Sequence, residues 1–283
     1  MRREIKSIFK GEAVTEGAGV KLRRVFGYFE APMFDPFLML DDFRADKPED
    51  FVKGFPWHPH RGIETITYVL RGDVEHGDSL GNKGVIASGD VQWMTAGSGI
   101  IHQEMPKGDA NGAMYGFQLW ANLPAKDKMM RPRYLGVVAK EIPEVVCPDG
   151  TSVKIIAGAL GDVKGPVADL AISPEYMDCN VPGGVEFVHP VRPGHTAFIY
   201  VIGGSGSVNG TVVENRTLAL FDDGEELAIT AGDDHVRFLL LTGKPLNEPI
   251  AWRGPIVMNT QEEIAAAFKE YRDGAFIKHE RTE

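Results

Sequence analysis

The clearest pattern in this chain is a run of short segments, each rich in strand-forming residues and each closed by glycine. Glu64-Thr65-Ile66-Thr67-Tyr68-Val69-Leu70 alternates polar and apolar from Thr65 to Tyr68 and is dominated by β-branched and aromatic side chains, which predicts a strand. Arg71-Gly72-Asp73 follows as a turn, Gly81-Asn82-Lys83-Gly84 closes a hairpin, and Gly89-Asp90 turns the chain into another short strand, Val91-Gln92-Trp93-Met94. Phe37-Leu38-Met39-Leu40 and Tyr115-Gly116-Phe117-Gln118-Leu119-Trp120 read the same way, with Gln118 on the opposite face from Phe117 and Leu119. From Phe26 to about Ala121 the chain is therefore predicted as consecutive β-strands.

The second half repeats this style. Pro124 to Pro132 breaks the pattern with a charged, Met-containing segment and is predicted to begin a linker. Strands are then expected at Val153–Ala157, Val185–Val188, Thr196–Ile202 and Arg237–Leu241. Gly203-Gly204-Ser205-Gly206-Ser207 superficially suggests a phosphate-binding loop, but it lacks the Lys-Ser/Thr pair and has strands on both sides, so a hairpin turn is predicted. Gly17-Ala18-Gly19 precedes a strand-like segment and is not a dinucleotide fingerprint. The clearest helix is near the C-terminus. Thr260 and Glu263 form a capping box, Ile264, Phe268 and Tyr271 make an apolar stripe, and Gly274 is a suitable stop. The stripe is expected to pack onto a barrel. The chain thus reads as all-β: an N-terminal barrel over residues 1–135, a C-terminal barrel over 136–250, and a tail with one helix over 251–283.

Composition excludes several classes. The 283 residues are 43% hydrophobic and 25% charged with a formal charge of −10, an ordinary globular balance that repels nucleic acid phosphates. Its densest basic group, Lys21-Leu22-Arg23-Arg24, is too short to offset this. The N-terminus lacks the apolar core of a signal peptide, and no run approaches the length of a membrane span. Cys147 and Cys179 form no Cys-x-x-Cys pair. No disulfide framework is expected, each cysteine is read as a small apolar filler, and the cytoplasm is the expected compartment.

Against this background two segments carry chemistry. Trp57-His58-Pro59-His60-Arg61-Gly62 and Gly99-Ile100-Ile101-His102-Gln103-Glu104 each hold two potential ligands one residue apart. On a strand such residues share a face, roughly 6.5 to 7 Å apart. Two such pairs on neighbouring strands would aim three imidazoles and one carboxylate at a common point, a donor set suited to a divalent transition metal. Either pair alone is common by chance; the flanking β-pattern makes a metal in the mouth of a small barrel the better reading. In the second half only His195, in Pro193-Gly194-His195-Thr196, stands at the equivalent position, and His189 and His235 are isolated. That barrel is expected to be metal-free.

The same residues carry a family resemblance. His58-x-His60-x3-Glu64 followed by Gly72 resembles the first motif of the cupins, and Gly89 to His102 resembles the second, with Thr95 where many cupins have proline. Phe55 to Gly62, Gly89 to Gly97, Gly99 to Met105, Gln118 to Pro124 and Gly254 to Thr260 are similar to one branch of these, the pirin family. The resemblance spans nearly the whole chain and implies a bicupin of two jelly-roll barrels. It implies one metal in the N-terminal barrel held by His58, His60, His102 and Glu104, with Glu64 not a ligand. Trp57 departs from the smaller residue expected there and is expected to narrow the pocket mouth.

Two roles follow from the resemblance. One is dioxygenation of flavonols such as quercetin, with dioxygen opening the heterocycle and carbon monoxide leaving. In that reading Glu104 is also catalytic, taking the proton of a substrate hydroxyl. The other is a non-enzymatic, metal- and redox-dependent regulator that binds a transcription factor or a metabolic enzyme. The dioxygenase is the preferred reading and iron(II) the expected ion, one per chain. Manganese, nickel, cobalt or zinc suit the same donors.

Overall fold

Alternation does produce strands here, but the central ones have no solvent face. In the computed structural model, which describes residues 1–279, Phe37–Asp42 and Val91–Thr95 are buried at every position, and Ile63–Arg71 at all but its last two. The chain divides into two compact units. One comprises Glu12–Met33, Phe37–Ala139 and the chain from Leu246 onward; the other comprises Met1–Gly11, Phe34–Pro36 and Lys140–Pro245.

The first unit contains an antiparallel seven-stranded sheet in the order Arg133–Val137, Val91–Thr95, Ile63–Arg71, Tyr115–Asn122, Phe37–Asp42, Val20–Phe26, Glu12–Glu16. A second, four-stranded sheet runs Phe55–His60, Ile100–Lys107, Asp73–Asp78, Lys83–Ile86. Register gives the large sheet two unlike faces. Phe26, Leu40, Leu119, Ile66 and Trp93 stand opposite one another across five strands and form one buried apolar row. The next row, on the other face, is Arg24, Asp41, Gln118, Thr67 and Gln92. Its members are polar, yet Asp41, Thr67 and Gln92 are buried. This polar row faces a cavity instead of solvent.

The other unit holds a nine-stranded sheet built around two long strands, Thr196–Val208 and Glu226–Gly243. Its interior is filled by apolar side chains, among them Val153, Ile155, Met177, Cys179, Phe187, Phe238 and Leu240. Cys179 is thus the apolar filler expected of it, and both cysteines are free thiols. Gly203 to Ser207 departs from the expected hairpin turn: it lies inside the Thr196–Val208 strand, where the register slips on either side of Gly203-Gly204. Gly204 has φ +63°, and a Cβ there would stand 2.0 Å from the carbonyl oxygen of His235. Glycine marks a bulge within a strand here; the turn comes later, at Asn209-Gly210.

The unit boundaries differ from the contiguous partition 1–135, 136–250 and 251–283. Residue 135 lies inside the strand Arg133–Val137, which pairs with Val91–Thr95, and Pro124 to Pro132 is no free linker because Lys128 is buried within it. The strand Ile5–Phe9 pairs with Leu218–Phe221 and so belongs with the later part of the chain. The helix Gln261–Arg272 has the capping box at Thr260 and Glu263. It packs through Ile264, Ala267 and Phe268 onto the hairpin of Ala251–Arg253 and Ile256–Met258, whereas Tyr271 remains 39% exposed. Among the described residues, no helix is long and apolar enough to cross a membrane.

Candidate metal centre

Register brings the two ligand pairs together. In the antiparallel pairing of Ile100–Lys107 with Phe55–His60, His102 stands opposite His58 and Ile100 opposite His60. The ladder shifts between His102 and Glu104. Gly62, which turns the chain after His60, has φ +77°, and a Cβ there would meet the carbonyl oxygen of Val257 at 2.0 Å. Only glycine lets the chain lie this close to the C-terminal hairpin.

The three imidazoles converge through the same nitrogen. His58 Nε2 is 3.0 Å from His60 Nε2 and 3.0 Å from His102 Nε2. The other nitrogens of the first two rings are committed. His58 Nδ1–H donates to the carbonyl of Pro56 at 2.8 Å, and His60 Nδ1–H to that of Pro255 at 3.1 Å. Donation at Nδ1 leaves the Nε2 lone pair of a neutral imidazole facing inward. Burial keeps these rings neutral: it lowers His58, and it holds His60 and His102 well below the usual histidine range, with the neighbouring rings acting in the same direction. The inward lone pairs of His58 and His60, 3.0 Å apart, repel unless a cation sits between them; His102 Nε2 lies 3.0 Å from His58 Nε2, and its own Nδ1 is buried with no hydrogen-bond partner among the described residues. Two nitrogens about 2.1 Å from one ion and at right angles to each other would stand about 3.0 Å apart. The donor set fits a transition ion, and the His58, His60, His102 cluster could hold one.

Glu104 lies beside this cluster, with Oε2 4.0 Å from His102 Nε2. Its Oε1 is 3.0 Å from the Thr67 hydroxyl, and Oε2 accepts from Gln118 Nε2 at 3.2 Å. Burial raises its carboxyl to about 7, against the pull of those two hydrogen bonds. Glu64 is elsewhere: buried, it accepts from the Thr95 hydroxyl at 2.6 Å. Trp57 does not narrow the mouth. Strand alternation turns it away from its neighbour His58, and it lies 52% exposed on a separate groove with Glu75 and Gln103.

His58, His60 and Glu104 open onto a cavity of about 470 Å³, within the usual range for small-molecule sites. Its walls include Met39, Phe43, Trp120 and Trp252, with the 58% exposed Tyr28 among its lining residues. Trp120 packs edge-on against His60, ring centres 5.0 Å apart. Several contributors escaped the sequence reading. Thr67 and Gln118 position Glu104, the carbonyl of Pro255 orients His60, and His76 faces inward opposite Glu104 with its Nε2 2.9 Å from the Gln92 amide. The available signal was the placing of polar Thr67, Gln92 and Gln118 within strands whose neighbours are all large and apolar.

Two cupin-type barrels, one carrying converging imidazoles above a cavity, make this chain a bicupin. Comparison with known proteins narrows the class. The model of the pirin family matches residues 19–121, and that of the pirin C-terminal cupin domain matches residues 176–277. A Pseudomonas aeruginosa protein named provisionally as a quercetin 2,3-dioxygenase is 44% identical over 96% of this chain and 97% of its own. A pirin-like protein of Caulobacter vibrioides is 43% identical over 97% and 99%. The crystal structure of a quercetin 2,3-dioxygenase from Acinetobacter baumannii is 34% identical, covers 98% of this chain and 99% of its own, and superposes with a TM-score of 0.88. The chain belongs to the pirin family.

Proposed function

We propose that this chain is a metal-dependent dioxygenase that cleaves flavonols such as quercetin, with His58, His60, His102 and Glu104 holding one divalent ion. The observation that carries the reading is the convergence of three Nε2 atoms, with His58 Nε2 3.0 Å from each of the other two, at the end of an aromatic-walled cavity. The names of the Pseudomonas and Acinetobacter relatives support the substrate class. Iron(II) is the expected ion. A nickel(II) complex is described for the bacterial pirin of Escherichia coli, whose fold is similar at 23% identity and a TM-score of 0.66.

When bound, the ion supplies Lewis acidity toward a substrate oxygen and redox access to dioxygen. The chain supplies the rest. Trp120, Trp252 and Tyr28 present ring faces and edges to a planar aromatic substrate. The apolar walls exclude water from the reacting ring. Glu104, fixed by Thr67 and Gln118, takes the proton of the substrate hydroxyl. The test is carbon monoxide release from quercetin by metal-reconstituted protein, with ring-opened product in equal amount. Absence of both with iron, manganese, nickel and cobalt would leave the regulatory reading in its place.

A further inference from the structure

The polar row of the large sheet continues past the metal centre. Gln118, which hydrogen-bonds Glu104, stands opposite Asp41, and Asp41 stands opposite Arg24. Arg24 Nε and Nη2 donate to the two oxygens of Asp41 at 2.9 and 2.8 Å, a bidentate pair. Arg24 Nη1 donates to Glu16 at 2.9 Å. All three side chains line the same cavity as His58, His60 and Glu104.

Charge decides what this arrangement accepts. An arginine in an aromatic cavity ordinarily invites an anion, but this guanidinium already faces two carboxylates. With Glu104, the cavity wall carries three carboxyl groups against one guanidinium. A further anion would enter a confined, largely apolar space with no free counter-charge. A neutral phenol meets the opposite situation, because carboxylate oxygens accept several hydrogen bonds each and its hydroxyls are donors.

We infer that Glu16, Arg24 and Asp41 form a charge filter that admits neutral polyhydroxylated aromatics and rejects aromatic anions. The inference deepens the dioxygenase reading and rests on it only for the nature of the ligand. Glu16 and Arg24 are the outer members, with side chains 42% and 29% exposed, and Asp41 is the buried one at 5%. Glu16 can therefore be changed without opening the core.

The test is calorimetric titration of zinc-loaded protein, anaerobically, with quercetin and with ring-sulfonated quercetin, which adds a permanent anion. Wild type should bind the sulfonate at least about tenfold more weakly, equivalent to about 1.4 kcal/mol. Glu16→Gln should narrow that gap and Glu16→Lys should close or reverse it. Raised salt should narrow the wild-type gap, which a purely steric exclusion would not do. Equal wild-type affinities would overturn the filter, as would a gap that neither Glu16 variant nor salt alters. So would a failure of quercetin to bind at all. Charge-selective binding by a protein whose iron form consumes no oxygen would sink the dioxygenase reading and leave the filter standing. Equal oxygen consumption with both ligands would do the reverse.

Discussion

His60 Nδ1 lies 3.1 Å from the carbonyl oxygen of Pro255, so a residue near the end of the chain orients a ring placed early in it. Backbone carbonyls hold a ligand's tautomer and direction as firmly as side chains do. The C-terminal hairpin is therefore part of the candidate metal centre. Gly62→Ala probes this join, since the added methyl group would collide with the carbonyl of Val257. It should lower stability by about 2–4 kcal/mol and reduce metal content together. Thermal unfolding with elemental analysis of the same sample checks both.

Metal binding should depend on individual rings. His60→Ala removes one donor and should lose most of the metal while keeping the far-ultraviolet spectrum of an all-β protein. His195→Ala, in the other unit, should leave content near one ion per chain. Chelation of wild type should lower its melting temperature, and readdition of the ion should restore it. A stoichiometry near two that falls to one in His195→Ala would place a second ion in the other unit.

The role of Glu104 separates from its ligation in metal-normalised rates. Glu104→Gln keeps length and an oxygen donor but is no base. It should reduce kcat by roughly 10² to 10⁴. Thr67→Val removes the hydroxyl 3.0 Å from Glu104 and should cost roughly tenfold. A wild-type rate in metal-loaded Glu104→Gln would make Glu104 a ligand only.

Lys128 gives a pH signature. Its ammonium donates to the carbonyls of Gly62 and Val257 and to Asn122 Oδ1, at 2.9, 3.1 and 2.5 Å. Burial pushes its pKa from 10.5 down to about 7. Between those values the unfolded chain holds more protons than the folded one, so this residue makes stability rise with pH. The rise is at most about 1.4 kcal/mol per pH unit and belongs to the window from 7 to 10.5. Lys128→Met should be less stable throughout and should lack that rise, as denaturant titrations across the window would show. A parallel pH profile in the variant would contradict the assignment.

The strands, the capped helix and the ligand pairs were legible because each depends on local spacing. His58 with His60, and His102 with Glu104, share faces through strand periodicity, and antiparallel register did the rest. What local reading could not supply was which face is solvent. By alternation Thr67 and Gln118 fall on the polar face of their strands, yet that face lines a cavity, because the central strands are buried on both sides. Trp57 was misplaced for the complementary reason, its size suggesting a pocket wall where its position in the strand points outward. Arg24 and Asp41, far apart from the ligands in sequence, join the site only through register.

Oxygen uptake by iron-loaded protein with quercetin tests the central claim most directly. Wild type should consume dioxygen in proportion to the flavonol supplied, and His60→Ala, taken through the same loading, should consume none above the uncatalysed rate. Wild type that takes up no oxygen, or His60→Ala that matches it chain for chain, would contradict the assignment of a dioxygenase centre to these histidines.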